Sequence, residues 1–197
     1  MGGFMSSIVV SGDTSGTITI SAPAVSGTNT LTLPASTGTL ALTGAAVTRS
    51  QMPAGTILQV VQATLNGQFT STSTSFVNSG LTASITPSSS SNKILVQIVL
   101  QGCFQAANLV SFGSTIYRNS TNLSPNGSLV VKAFGEMNIA AGGSGALVTT
   151  IPMNYLDSPS TTSSTAYTAY VAAGSAGTIG VNQDGGVSTI ILMEVAA

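Results

Sequence analysis

Asp157, in YLDSPS, and Asp184, in NQDGG, are the residues of this sequence whose types could do acid–base work together. A glycosidase needs two carboxyl groups flanking one bond, about 5 Å apart when one attacks and about 6.5 to 9.5 Å apart when it activates water. Asp-Ser-Pro and Asp-Gly-Gly are also ordinary turn sequences, in which the aspartate bonds its own backbone. The turn is the reading adopted for both, with a calcium ligand or a catalytic pair as the alternatives. Glu136 and Glu194 fall in strand-like runs, where a lone carboxylate faces solvent or pairs with Lys or Arg. The chain has no histidine, which removes Ser-His-Asp and Cys-His relays, the HExxH zinc helix and most zinc sites. Cys103 is the single cysteine, so neither an internal disulfide nor a CxxC pair can form; it is expected as a small buried core residue. The glycine-rich AAGGSGA, residues 140–146, reads as a hairpin loop, because no helix start follows it to cradle a phosphate. No catalytic, cofactor-binding or metal-binding residue is therefore assigned, and the chain is read as a non-enzyme.

Surface contact is the chemistry that remains. Arg118, Asn119 and Asn122 stand where a strand runs into the polar stretch NSTNLSPNGS and form the candidate receptor-contact loop. Tyr155, Tyr167, Tyr170, Phe104 and Phe112 could stack on sugar rings. Their place in alternating strands makes core packing the favoured reading.

The composition says what kind of surface carries these groups. Only 5% of residues are charged while 43% are hydrophobic, and Ser and Thr together number 56. A hydroxyl surface has no long-range field, so nucleic acid is not an expected partner. No apolar run reaches the ~18 to 20 residues of a membrane-spanning helix, and no membrane insertion is expected. So little charge also gives little mutual repulsion, which fits a chain that hides surface against its own copies.

The elements that must position these residues read as β throughout. Val, Ile and Thr dominate, broken by Gly, Pro, Asn and Ser clusters, and no helical period stands out. After Pro53 the sequence predicts strands over 57–65, 80–87, 93–104, 110–118, 129–134, 146–157, 165–173 and 188–196. In KILVQIVL, Ile94, Val96, Ile98 and Leu100 would face one side, with Leu95 and Val99 on the other. A strand apolar on both sides is either central in a sandwich or covered by another subunit. The predicted fold class is all-β: a jelly-roll-like antiparallel sandwich preceded by a short repeat stalk.

That stalk rests on a repeat. Gly-Thr recurs at Gly16, Gly27 and Gly38, eleven residues apart, and Ile20, Leu31 and Leu42 fall at one position in each copy. Pro23 and Pro34 match as well. Copies this short cannot bury a core alone, so the repeat is predicted to intertwine with other copies of the chain, Ile20, Leu31 and Leu42 packing on a trimer axis. Three parts follow: an attachment segment over 1–15, the stalk over 16–50 and a β-sandwich head over 51–197.

The repeated G-T-x-T-[IL]-x-x-P-A, together with MPAGTILQVVQATLNGQFTSTSTSF, GLTASITPSSSSNKILVQIVLQG, NYLDSPSTTSSTAYTAYV and STIILMEVAA, resembles bacteriophage fibre and other virion proteins, as in marine and cyanobacterial phages. The resemblance implies a homotrimeric fibre assembled in the host cytoplasm into the virion. Its N-terminus would join other virion proteins, and its head would meet a host-surface glycan or protein. A head decoration or cement protein and a polysaccharide-degrading tailspike are the alternatives.

Overall fold

The computed structural model describes residues 7–11, 17–21, 52–105, 111–124, 134–137 and 147–197. Its contacts divide the chain into two compact units, Met1–Ala45 and Ala46–Ala197. In the first, β1 (Ser7–Ser11) pairs antiparallel with β2 (Thr17–Ser21), so that Ile20 lies opposite Ile8. Part of the expected attachment segment thus forms a hairpin with the first repeat. Leu31 and Leu42 lie outside the described residues.

The second unit contains β3 (Ile57–Leu65), β4 (Phe69–Ser71), β5 (Val77–Ile85), β6 (Lys93–Gln105), β7 (Phe112–Arg118) and β8 (Thr121–Asn122), followed by β9 (Gly135–Met137), β10 (Leu147–Asp157), β11 (Thr165–Ala173), β12 (Ile179–Val181) and β13 (Ser188–Val195). They make two sheets, and every pairing is antiparallel. One runs β3-β13-β6-β10, with β12 and then β4 continuing beside the far end of β6. The other runs β5-β11-β7, with β8 and β9 along the free edge of β7. From β3 the main strands pass back and forth between the sheets. That order is a jelly roll.

Alternation explains why the sheets close on one another. Ile94, Val96, Ile98 and Leu100 of β6, with Ile190 and Leu192 of β13, pack on Leu81 and Ile85 of β5, Val171 of β11, and Phe112 and Ile116 of β7. Strand β5 begins at Val77 rather than at the expected Gly80. The glycine lies inside it at φ +90, where four residues of β5 span two of β11. It marks a bulge rather than a strand end. The short strands β4, β8, β9 and β12 offer too few residues for alternation to be read. Of the expected strand 129–134, only Phe134 is among the described residues, and 140–146 lie outside them.

Candidate functional site

Arg118 ends β7 and Tyr167 lies beside it in register on β11, both on the inner face of one sheet. Asp157 ends β10 on the inner face of the other, opposite Ile94. The Arg118 guanidinium donates from Nη1 to both Asp157 carboxylate oxygens at 2.9 Å, and the Tyr167 phenol donates to Oδ2 at 2.7 Å. Asp157 and Tyr167 are buried. Burial, then the hydrogen bond and charge of Asp157, push the Tyr167 phenol well above its ordinary value, with Arg118 pulling the other way. Asp157 is therefore the buried link between the two sheets, not a residue that folds a turn onto its own backbone. The inward-facing end of an alternating strand brings it there, and that signal was legible in NYLD.

Next along the chain, Asn119 adopts the left-handed conformation at φ 52. Its backbone N–H donates to Ala166 O at 2.8 Å, and its side-chain oxygen accepts from the Ala166 N–H at 3.0 Å. Asn122 accepts from Thr115 Oγ1 at 2.7 Å and from the Ser124 N–H at 3.0 Å. The structure thus gathers Arg118, Asn119 and Asn122 at one end of the sandwich, and each also fastens the fold there.

On the outer face of the same sheet the rings of Tyr117 and Tyr170 stack with centroids 3.9 Å apart. Thr168, opposite Tyr117 in the ladder, shares a hydroxyl–hydroxyl bond of 2.8 Å with Thr82, and Asn122 pairs with Tyr117 from the other side. Thr168 is itself buried; the half-buried rings, the exposed Thr82 hydroxyl and the half-buried Asn122 amide form a ledge with the chemistry to meet a sugar, an aromatic face for its C–H side and short polar groups for its hydroxyls. Tyr117 went unremarked in the sequence, and Tyr170 lies half-buried on this outer face rather than in the core. Of the other aromatics named from sequence, Tyr167 and Phe112 are in the core, and Tyr155 packs against it and meets Phe134 edge-on at 5.2 Å. Phe104 is buried outside that core cluster, in register with Gly180 and with the exposed Val148.

The opposite end of the sandwich holds Asp184. It lies in a 3-10 turn, Gln183–Gly185, after Asn182, whose backbone N–H bonds Gln101 O at 2.8 Å. Asp157 is in register with Ile94, seven residues back along β6, so the two aspartates are separated by about 23 Å of strand rise. No glycosidase geometry spans that distance, and the catalytic pair is ruled out. Among the described residues no group of three His, Cys, Asp or Glu side chains could hold a metal ion. Cys103 is buried, and burial pushes its thiol up to about 12.

Glu194 departs from the expectation of a solvent-facing strand carboxylate. It points inward from β13 and is fully buried. Its Oε1 accepts from the Ser88 N–H at 2.6 Å, the Ser88 hydroxyl at 2.6 Å and Asn92 Nδ2 at 2.7 Å, while Oε2 accepts from Gln59 Nε2 at 2.6 Å. Burial alone would raise its pKa; these donors outweigh burial and hold it below the ordinary carboxylate value. The network fixes the SSSSN loop beneath a hollow of about 230 Å³ lined by Met52, Ser88, Ser89, Ser91, Asn92, Ala196 and Ala197.

No protein-family model matches the chain, and no curated protein matches its sequence. Solved structures of infectious bursal disease virus do. Its T=1 particle gives 15% identity over 72% of this chain at a TM-score of 0.36. Its T=13 particle gives 13% over 81% at 0.36, and its VP2 subviral particle 12% over 72% at 0.34. The chain spans 37 to 40% of the length of these matched chains.

Three of the described carboxylates thus divide by use. Asp157 and Glu194 hold sheets and loops together, and Asp184 sits in a turn. What the arrangement offers a ligand is surface: the Tyr117–Tyr170 ledge and the Arg118–Asn119 turn at its margin.

Proposed function

We propose that this chain is a non-enzymatic structural protein of a virus particle, a short homotrimeric fibre of the bacteriophage tail type that presents jelly-roll heads to a host surface. The observation that carries the reading is the strand order itself, β3-β13-β6-β10 facing β5-β11-β7, an architecture recurrent in virus coats and sugar-binding domains. The nearly uncharged surface and the eleven-residue repeat support assembly with like copies. The Tyr117–Tyr170 ledge supplies the contact, to a glycan or a protein, and three heads presented together multiply a weak contact through effective concentration. The N-terminal segment joins other proteins of the particle.

A second reading is a head decoration or cement protein, which the same strand order would also suit. Immunogold labelling of purified particles with antibody to residues 53–197 tests both. Gold at the tail is the expected result, gold over the head moves the assignment to decoration, and particles without label overturn the virion reading. A tailspike depolymerase would release new reducing ends from host polysaccharide, and none are expected.

A further inference from the structure

We propose that Asn66 is a site of spontaneous chemical modification. The Asn66-Gly67 dipeptide, between β3 and β4, closes on itself and turns the asparagine into aspartate and isoaspartate. Asparagine is a thermally labile residue, and the reaction needs two groups free: its side-chain amide and the next backbone nitrogen. Asn78, Asn92, Asn119, Asn122, Asn154 and Asn182 all have their side-chain amides held by hydrogen bonds. Among the described residues, Asn66 is the asparagine whose amide bonds nothing, and the Gly67 N–H bonds nothing either. Both residues are exposed, and a Cβ at Gly67 would meet nothing within 4 Å, so a ring has room to close. The Gly67 nitrogen gives its proton to a base in solvent and attacks Asn66 Cγ. The new N–Cγ bond displaces ammonia and leaves a five-membered imide. Water then adds to one of the two imide carbonyls and opens the ring, to aspartate or to isoaspartate.

The surroundings of the loop give the reaction a structural consequence. Asn182 is buried, and its Nδ2 donates to Leu65 O at 2.8 Å and to Gly67 O at 2.9 Å, one carbonyl on each side of Asn66. Its Oδ1 accepts from the Ser188 hydroxyl at 2.6 Å, and beside it Gln68 Nε2 donates to Gln183 Oε1 at 2.6 Å. In isoaspartate the main chain runs through the former side chain and gains one methylene between those two carbonyls. A single amide nitrogen then no longer spans them, and a buried donor left short of a partner costs stability. Either product also adds a negative charge to a chain whose formal net charge is −1. The loops 65–69 and 182–186 hold Asp184 and no Lys or Arg to offset it. The end of the sandwich that carries Asp184 thus ages chemically, gaining charge and loosening where Asn182 clamps it.

Peptide mapping by mass spectrometry tests the proposal, on the full chain kept folded in warm, mildly alkaline buffer and on the denatured chain beside it. Cleavage after Arg49 and Lys93 places Asn66 in one peptide with Asn78, which is also exposed but has its side-chain oxygen bonded to the Gly80 N–H. A gain of about 1 Da, the difference between an amide and an acid, is expected at Asn66. Folding should slow that gain by less than about 10-fold and slow the same change at Asn78 more strongly, because Asn78 must first open. Asn66 protected by folding as strongly as Asn78 overturns the site. The isoaspartate form, separated from the aged chain, should have a folding equilibrium constant about 10-fold lower than Asn66→Asp, which carries the charge without the extra methylene. Equal stability of these two forms overturns the consequence drawn for the Asn182 clamp.

Discussion

Tyr167, Asp157 and Arg118 act as one unit, and their removal should show it. Replacing Arg118 by alanine leaves a buried carboxylate without its cation. The expected loss is about 2 to 3 kcal/mol in denaturant unfolding, discounted from the fully buried case because the Arg118 side chain is 27% exposed. Tyr167→Phe removes one donor to a charged acceptor and should lose about 1.5 to 3 kcal/mol; a double-mutant cycle should find the two losses non-additive. Because the folded phenol titrates above its free value, the stability it adds is complete below about pH 10 and declines as pH rises beyond that. Tyr167→Phe should flatten this alkaline slope. Glu194 has the opposite sign. Its folded pKa lies below the free value of 4.5, so its contribution is full above about pH 4.5 and is lost as pH falls through the folded value. Glu194→Gln cannot accept all four donors and should unfold with about 1 to 3 kcal/mol less stability, with a weaker acid dependence than the parent.

At the scale of elements, much of the sandwich was legible because β3, β6, β10, β11 and β13 are long enough for period-2 alternation to declare them. Strand β3 runs over the residues read from sequence, Ile57–Leu65. What alternation does not carry is partnership. Asp157 and Arg118 are 39 residues apart in the chain, and nothing in either local pattern says that their strand ends face each other across two sheets. Glu194 likewise meets Ser88 and Asn92 only because β13 ends beside the start of β6. Gly80 was misread because glycine signals a strand end and a bulge alike. Another glycine has a sharper role. Gly102 sits at φ +50 within β6, where a Cβ would lie 2.6 Å from the Gln183 nitrogen and 2.7 Å from its carbonyl oxygen. Gly102→Ala should therefore lower stability by about 2 to 4 kcal/mol, strain and overpacking together, and thermal unfolding measures it.

For the whole molecule, the repeat and the head are expected to assemble as one. Leu31→Asp would set three carboxylates near the proposed stalk axis, and the expected outcome is loss of the three-chain mass in light scattering. A normal trimer from this variant would show that Leu31 does not pack there. The sequence suggested self-association through its scarcity of charge, and left Leu95 and Val99 open between a central sandwich strand and a face covered by another subunit; β6 is central in its sheet. The sequence could not say which strands flank β6, because lateral order is set by long-range pairing.

The point where the chain enters the head has a mechanical consequence. Strand β3 is held to β13 by a ladder that runs from Ile57↔Val195 to Leu65↔Ser188. On the proposed fibre reading, a pull entering at Ile57 along β3 would be shared side by side by the hydrogen bonds of that ladder, as in a lap joint, instead of breaking them one after another as in a zipper.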